Sequence, residues 1–196
     1  MSRYSDHDAY LYPISGVLRN RFGIEDAAEL EGVEAEMVAA RSRELVKSPL
    51  NGRFDLPHLQ AIHRYLFGDL YEWAGRLRTV DISKNGHMFA HHGHLANAGV
   101  EIFQKLAVEK RLAGLGPDVF SARAAYYFGE INALHPFREG NGRTQREFVS
   151  HLAQAGGYYI AWEDVEPPEM MKASIASFLG DLSGLIEIIR RSLKGD

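Results

Sequence analysis

Residues 135–146, His-Pro-Phe-Arg-Glu-Gly-Asn-Gly-Arg-Thr-Gln-Arg, lie between two segments of helical periodicity and determine how these segments are joined. Pro136 cannot continue a helix, so we expect the preceding helix to end near His135. A Gly-Asn-Gly turn follows, and its backbone can approach a ligand closely. We expect the next helix over about 142–155, with its unpaired N–H groups and positive dipole end directed at the turn. The stretch therefore predicts an anion site of the kind that holds phosphates.

The side chains of the same stretch fit a phosphorylated ligand and a divalent metal ion. Arg143 and Arg146 are three residues apart and share a helix face, where two guanidinium groups suit a polyphosphate. Glu139 directly precedes the glycines, and a carboxylate with phosphate oxygens and water is a usual environment for Mg²⁺. His135 stands at the edge of the turn, where an imidazole suits general-base work on a hydroxyl. Together these groups predict attack by a hydroxyl on a nucleotide phosphate.

Each feature also has an ordinary structural explanation. A histidine at a helix end can be a cap, and Gly-Asn-Gly is a common turn. The two arginines could pair with Glu139 and Glu147 on a solvated face. The occurrence of a base, a carboxylate, a glycine turn and paired arginines within one short stretch favours the catalytic interpretation.

Composition limits the chemistry that is available. The 196 residues include nine histidines and no cysteine, so a base or metal ligand must be His, Asp or Glu. The net charge of −4 argues against general affinity for nucleic acid, which needs clustered positive charge. No apolar run approaches the roughly 20 residues that span a bilayer, and the polar first residues do not resemble a secretion signal. We therefore expect a cytoplasmic protein without direct contacts to nucleic acid or membrane.

Helical periodicity dominates the rest of the chain. Helices are expected over about Glu25–Val46, after a cap at Asp55, and over about Leu95–Leu106, Phe120–Leu134 and Pro167–Ile189. Residues 79–83 alternate between apolar and polar and are followed by Asn85-Gly86, a strong hairpin signal because both turn residues take positive φ. We expect an all-α protein with a single two-stranded β-hairpin. The edge of such a hairpin offers unpaired backbone groups to an extended peptide.

Residues 135–146 match the signature H-x-F-x-E-G-N-G-R-x-x-R at every defined position, and the chain thereby resembles the Fic family of protein adenylyltransferases. The resemblance extends from about Tyr10 to the final helix. It implies one Fic-type helical bundle over residues 1–196, with a core at about 55–165 and the N-terminal and C-terminal helices packed on it. The hairpin falls where the family carries a flap that aligns the target segment as an extra strand.

The resemblance implies a reaction between ATP and a protein hydroxyl. His135 would deprotonate a Ser, Thr or Tyr hydroxyl of the target, and Glu139 would hold Mg²⁺ between the α- and β-phosphates. Attack on the α-phosphate would transfer AMP and release pyrophosphate.

The resemblance also implies which residues bind ATP. Asn141 and the amides around Gly140 and Gly142 would hold phosphate oxygens. Arg143 would contact the β-phosphate and Arg146 the γ-phosphate.

The flap has two implied tasks. Lys84 and Asn85 would cover the nucleotide. Asn85, Gly86, His87 and Phe89 would dock the target.

Two other activities stay open. The kinase-like death-on-curing toxins of the wider fold carry Lys where Arg143 stands, so this sequence favours AMP transfer over phosphate transfer. Phosphocholine-transferring members share the motif, so another pyrophosphate-linked donor remains an alternative. A catalytically silent module that binds nucleotide or protein is the second alternative.

Fic proteins are commonly inhibited by a helix that reads Ser/Thr-x-x-x-Glu-Gly/Asn. Ser183 to Glu187 matches the first five positions, but Ile188 stands where Gly or Asn is expected, and Arg19 replaces the Glu of an N-terminal version. We therefore expect inhibition by a separate small antitoxin carrying Ser-x-x-x-Glu-Gly, as in the toxin–antitoxin class. Toxins of that class imply a bacterial type II topoisomerase as target, through the ATPase subunit of DNA gyrase or topoisomerase IV.

Seven of the other histidines fall into two groups. One follows the hairpin turn: His87, His91, His92 and His94. Because no acidic residue lies within this group, we expect solvent-facing histidines rather than a zinc site. The other group lies on helices and is expected to pack or to face solvent: His58, His63 and His151.

Overall fold

The computed structural model describes residues 8–84 and 86–195 and confirms a helical protein. The helices are α1 Ala27–Lys47, α2 Leu56–Phe67, α3 Leu95–Val108, α4 Pro117–Leu134, α5 Asn141–Ala155, α6 Pro167–Phe178 and α7 Ser183–Ser192. The strands are β1 Ser83–Lys84, β2 His87–Met88, β3 Tyr158–Ile160 and β4 Leu193–Gly195. Among the described residues, no helix combines the length and apolar character needed to cross a membrane.

Helix α4 forms the centre of the molecule. It packs against α3, α5, α6 and α7, and apolar side chains on the faces toward these helices are buried, among them Phe120, Tyr127 and Ile131. A helix that is apolar on several faces must be enclosed by other helices to remove that surface from water. Because α5 follows α4 after a short loop and packs against it, the end of α4 and the beginning of α5 lie together.

The expected hairpin is present, but its strands are shorter than the alternating pattern predicts. Ser83 pairs with Met88 and Lys84 with His87. The Ile82 carbonyl still accepts from the Phe89 N–H across the hairpin at 3.3 Å. Residues 79–81 are bound by side chains instead of a strand partner: the Thr79 N–H donates to the Tyr10 hydroxyl at 3.2 Å. Side-chain acceptors and donors thus replace the ladder that an alternating sequence normally forms.

A second pair of strands was not expected from the sequence. β3 and β4 pair antiparallel, with Tyr158 opposite Gly195 and Ile160 opposite Leu193. The expectation of one strand pair is therefore incomplete. No turn joins these strands, which lie far apart in sequence, so the local hairpin signal that revealed β1 and β2 is missing here.

The single helix expected from Pro167 to Ile189 is wrong, because the structure has two. α6 ends at Phe178, and Gly180 takes φ +93°, a conformation that a right-handed helix cannot contain. α7 then begins at Ser183, whose N–H donates to Asp181 Oδ1 at 2.9 Å. The apolar stripe continues across the break because both helices pack on α4, which explains why periodicity alone suggested one helix.

The helix histidines are buried, and one of them is unsatisfied. His151 is 3% exposed, and within the described residues neither of its ring nitrogens has a hydrogen-bond partner. Burial and the nearby His58 together lower the pKa of His151 to about 4. The unfolded chain takes up this proton near pH 6.5 and the folded protein only near pH 4. Stability is therefore lost as the pH falls through this range.

We expect His151→Leu to remove this pH dependence. The free energy of unfolding of the variant should fall less steeply between pH 6.5 and 4 than that of the unsubstituted protein, by up to about 1.4 kcal/mol per pH unit. At pH 7.5 the variant should be at least as stable, because leucine leaves no unpaired ring nitrogen. Urea unfolding at several pH values measures both effects, with exposed His94→Leu as the control. Equal pH slopes for His151→Leu and His94→Leu would contradict the assignment.

Candidate active site

His135 ends α4 in a strained conformation. It takes the left-handed conformation, with φ 46° and ψ 63°, while its N–H still bonds to the Ile131 carbonyl at 2.9 Å. A residue with a side chain adopts this conformation only where its surroundings enforce it. The enforcing residue is Arg78, whose Nε donates to the His135 carbonyl at 2.8 Å and whose N–H donates to the Pro136 carbonyl at 2.9 Å. The helix end expected from Pro136 is thus fixed from outside the helix.

Arg78 also fixes the base of the hairpin. Its side chain is buried, and it donates to the carbonyls of Val80, at 2.7 Å, and of Ala90. These two residues lie on either side of β1 and β2, so one guanidinium group connects the flap to the end of α4. Five donors in a planar fork allow arginine to serve several carbonyls at once. Nothing in the local sequence distinguishes Arg78 from a surface arginine, so this role could not be predicted from the sequence.

The loop between α4 and α5 is closed by the side chain of Asn141. Its Oδ1 accepts from the Phe137 N–H at 2.9 Å, and its Nδ2 donates to the Phe137 carbonyl at 2.8 Å. Gly140 takes φ +78°, and a Cβ there would lie 2.4 Å from the Phe67 ring, so only glycine fits. The carboxamide of Asn141 is therefore used within the loop, and Asn141 offers its backbone N–H to a ligand.

The first turn of α5 has free donors. Within the described part of the chain, the N–H groups of Asn141, Gly142 and Arg143 have no hydrogen-bond acceptor, whereas the next N–H, of Thr144, bonds to the Gly140 carbonyl at 3.1 Å. A Cβ on Gly142 would meet no heavy atom within 4 Å, which leaves open space in front of these donors. A helix N-terminus with free N–H groups and open space can hold phosphate oxygens.

His63 supports the loop from behind. It is fully buried and stacks on Phe137 at 3.9 Å between ring centroids. Its Nδ1 accepts from the Gly75 N–H at 2.8 Å, so the proton is on Nε2, which donates to the Glu139 carbonyl at 3.0 Å. Burial lowers the pKa of His63 to about 4, so the ring stays neutral and keeps this tautomer.

His135 is arranged as a neutral base. Its Nδ1 lies 3.3 Å from the Asn132 carbonyl, which accepts the proton on Nδ1 and leaves Nε2 unprotonated. Its ring stacks on Phe89 of the hairpin at 3.8 Å. Burial, together with the charges of Arg78 and Lys84, lowers the pKa of His135 to about 4. The imidazole is therefore neutral at pH 7 and able to accept a proton at Nε2.

These elements enclose a cavity of about 400 Å³. The loop and α5 contribute its polar side: His135, Glu139, Asn141, Gly142 and Arg146. The hairpin contributes Lys84 and Phe89, and α6 contributes an apolar side with Met170, Met171 and Ile175. The volume is typical of a small-molecule site, and the two sides suit a ligand with an anionic part and an apolar ring.

The two motif arginines have different surroundings. Arg146 lines the cavity, is half-buried and has no hydrogen bond or ion pair with residues 8–84 or 86–195. A half-buried guanidinium group without a partner is available for an anion. Arg143 does not line the cavity: it forms an ion pair with Glu34 of α1 and lies 3.5 Å from Glu139 Oε1. The sequence analysis did not identify Glu34, which lies 109 positions before Arg143.

Residues expected at the flap are only partly brought to the cavity. Lys84 and Phe89 line it, whereas Gly86 does not. Gly86 has φ +80°, as the hairpin turn requires, and Asn85 lies outside the described residues. Glu187, the candidate inhibitory residue, is exposed on α7 and does not line the cavity.

The assumption that the hairpin histidines lack an acidic neighbour is wrong in three dimensions. Asp81 lies 3.3 Å from His91 Nε2 and 3.1 Å from His92 Nδ1, and it accepts the His92 N–H at 2.8 Å. Asp81 precedes the hairpin and the two histidines follow it. These contacts close the base of the hairpin beside the Arg78 contacts.

Comparison with known proteins assigns the region around the cavity to one family. The model of the Fic/DOC family matches residues 53–153. The chain is 49% identical over 194 residues to Protein adenylyltransferase VbhT of Bartonella schoenbuchensis. The aligned region covers 98% of this chain but only 41% of that protein. The chain is 40% identical over 186 residues to Probable protein adenylyltransferase Fic of Salmonella typhimurium, covering 95% of this chain and 92% of that protein.

Solved structures share the fold over the whole chain. The BepC protein of Bartonella tribocorum with bound AMPPNP has a TM-score of 0.92 and 25% identity, covering 98% of this chain and 100% of that one. An N-terminal Fic domain of a Bartonella quintana effector with bound ADP has a TM-score of 0.92 and 29% identity, covering 97% of each chain.

The state of His135 can be measured directly. We expect the pKa of His135 to be about 4 in the free protein and to rise when an ATP analogue binds, because nearby phosphate charge favours the imidazolium form. A histidine NMR titration with and without AMPPNP measures both values, and His135→Ala assigns the resonance. A pKa of 6.5 or above in the free protein would contradict the burial of the ring.

The two glycines of the turn provide a matched pair of variants. Gly140→Ala should lower the free energy of unfolding by about 2 kcal/mol or more, because of the left-handed conformation and the clash with Phe67. Gly142→Ala should keep its stability but weaken nucleotide binding about tenfold, because the added methyl group enters the space in front of the helix donors.

Thermal unfolding and calorimetry with AMPPNP distinguish the two effects. Normal nucleotide affinity in a stable Gly142→Ala protein would show that the phosphates do not lie on the first turn of α5.

Proposed function

The chain belongs to the Fic/DOC family, and we propose that it is a protein adenylyltransferase that transfers AMP from ATP to a hydroxyl group of another protein. One observation carries the proposal: the unprotonated Nε2 of His135, the free N–H groups of α5 and the unpartnered Arg146 meet at one cavity. A base beside an anion site suits attack by a hydroxyl on a phosphate. The names of the relatives support the same reaction.

In the proposed reaction these groups have separate tasks. His135 Nε2 takes the proton of the target hydroxyl, and the oxygen attacks the α-phosphorus of ATP. A bond forms between this oxygen and the α-phosphorus, and the bond from the α-phosphorus to the bridging oxygen breaks. AMP stays on the target and pyrophosphate leaves. The free N–H groups of α5 and the Arg146 guanidinium stabilise the charge on the phosphates during this step.

Glu139 is suited to a divalent cation. Its side chain is 47% exposed at the cavity, and Oε1 accepts the Gly140 N–H at 2.8 Å. Within the described ranges, Oε2 accepts no hydrogen bond, so one carboxylate oxygen is free beside the proposed phosphate site. Mg²⁺ prefers one or two carboxylates together with phosphate oxygens and water, and it would neutralise charge on the α- and β-phosphates.

The apolar side of the cavity suits the adenine ring. Met170, Met171 and Ile175 of α6 face the polar loop across the cavity, and Phe89 and Lys84 of the hairpin close one side. Lys84, together with Asn85, would cover the nucleotide. The AMPPNP and ADP in the similar structures support a nucleotide of this type.

We propose that the hairpin aligns the target by strand addition. β1 and β2 form a short hairpin with two residues in each strand. An extended target segment can pair with the edge of this hairpin. Asn85, Gly86 and His87 at the turn would contact this segment, and Phe89 would hold it near His135, on which it stacks. The target hydroxyl would then reach Nε2.

We further propose that a small antitoxin protein inhibits the activity and that the target is a bacterial type II topoisomerase. Arg146 forms no ion pair within 4 Å with a carboxylate among the described residues, the nearby charge of Glu147 acts on it only at longer range, and Glu187 lies on the surface of α7. A glutamate from a Ser-x-x-x-Glu-Gly helix of another protein would therefore supply the missing partner at the γ-phosphate position. The ATPase subunit of DNA gyrase or topoisomerase IV, both cytoplasmic, is the target that a toxin role suggests.

The position of the transferred label tests the activity. The protein is incubated with Mg²⁺, purified DNA gyrase ATPase subunit or bacterial lysate, and ATP labelled at either the α- or the γ-phosphate. We expect α-label on a protein band, with at least a 100-fold loss in His135→Ala because the general base is removed. Arg76→Ala, an exposed change away from the cavity, should retain transfer.

The possible results separate the activity from the target. Transfer of γ-label, or α-label transfer that persists in His135→Ala, would contradict the proposed reaction. Transfer of α-label to lysate proteins but not to the topoisomerase subunits would reject the target and keep the reaction.

A further inference from the structure

The Glu34 carboxylate is buried on α1 and has two partners. It is 9% exposed, its Oε2 accepts from the Tyr71 hydroxyl, and its Oε1 accepts from Arg143 Nη2. Burial and the contact with Glu34 raise the pKa of Tyr71, so its hydroxyl stays protonated and donates. A buried carboxylate is retained only where it is paired and hydrogen-bonded. Both carboxylate oxygens of Glu34 therefore accept hydrogen bonds, one from Tyr71 and one from Arg143.

Arg143 lies between two carboxylates. Its Nη2 forms the closer contact with Glu34 Oε1 and lies 3.5 Å from Glu139 Oε1. Its guanidinium group also lies over the Phe67 ring, 4.8 Å from the centroid. Glu139 Oε1 in turn accepts the Gly140 N–H, which leaves Oε2 toward the cavity. A continuous series of contacts thus leads from Tyr71 through Glu34 and Arg143 to the proposed metal carboxylate.

We propose that Glu34 is a positioning residue for the metal-binding carboxylate. Glu34 forms the main ion pair with Arg143. It thereby keeps the guanidinium group beside Glu139 and prevents a closer ion pair between Arg143 and the Glu139 carboxylate. Glu139 Oε2 is then free for a divalent cation that arrives with the nucleotide. The inference rests on the proposed function, because it requires Glu139 to bind that cation.

The charge of Glu34 is the essential property. Without it, Glu139 is the one carboxylate that ion-pairs with Arg143 in the described part of the chain. A closer Arg143–Glu139 pair would compete with the divalent cation for the same oxygens. Groups that orient a metal ligand from outside the coordination shell typically change metal affinity by about 10-fold or more when they are altered.

Glu34→Gln tests the proposal, because it removes the charge and keeps the size of the side chain. Glu31→Gln is the matched control, since Glu31 is exposed on the same helix. Calorimetry measures Mn²⁺ binding in the presence of AMPPNP, and the Mg²⁺ dependence of α-label transfer is measured in parallel. We expect Glu34→Gln to weaken Mn²⁺ binding about 10-fold and to raise the Mg²⁺ concentration for half-maximal transfer by a similar factor. Glu31→Gln should match the unsubstituted protein in both measurements.

A second variant covers the case in which Glu34→Gln does not fold. Tyr71→Phe keeps the ring and removes only the hydroxyl that orients Glu34, so it should weaken Mn²⁺ binding in the same direction by a smaller factor. Unchanged Mn²⁺ affinity in folded Glu34→Gln, or in Tyr71→Phe if the former is unfolded, would overturn the proposal. Absence of α-label transfer by the unsubstituted protein would instead count against the proposed function, since Mn²⁺ binding is measured without turnover.

Discussion

The two hydrogen bonds between the Asn141 carboxamide and the backbone of Phe137 are the constraint on which the site depends. They close a loop so short that His135, which caps the C-terminus of α4, and Asn141, the first residue of α5, line the same cavity. The other supports act on this closed loop: Arg78 holds its beginning, His63 holds the Glu139 carbonyl, and Gly140 fits against Phe67. A base and a helix N-terminus are thereby placed together by backbone geometry, and their side chains need little further support.

The electrostatics of the cavity follow from what this loop leaves unpaired. The first N–H groups of α5, the Arg146 guanidinium and Lys84 bring positive charge to one space, while burial and the charges of Arg78 and Lys84 favour a neutral His135. Unpaired donors and a strained histidine both cost stability. Their joint presence at one cavity is typical of a site whose ligand supplies the missing partners. The carboxylates Glu139 and Glu34 balance this charge at the side where a cation would bind.

The sequence predicts the parts of this structure whose causes are local. Pro136 ends a helix, Asp55 caps one by accepting the His58 N–H, and Gly86 takes the positive φ of a hairpin turn, each through its own conformational preference. The motif also identifies the side chains on the polar side of the cavity, whereas the residues that α6 contributes were not assigned to it. Long-range contacts were not predicted, because Arg78, Glu34 and the β3–β4 pair depend on partners that are distant in sequence. The break at Gly180 was missed for a related reason: two helices packed on the same core helix preserve one apolar period.

A crystal structure with Mg²⁺ and α,β-methylene-ATP, an analogue that resists cleavage at the α-phosphate, most directly tests whether ATP binds with its α-phosphate at His135. We expect the α-phosphorus to be the phosphorus atom nearest to His135 Nε2. We also expect phosphate oxygens on the N–H groups of Asn141 to Arg143 and a contact between Arg146 and the terminal phosphate. A γ-phosphate nearest to His135, as a kinase would require, or a nucleotide bound away from the first turn of α5 would contradict this mode of binding.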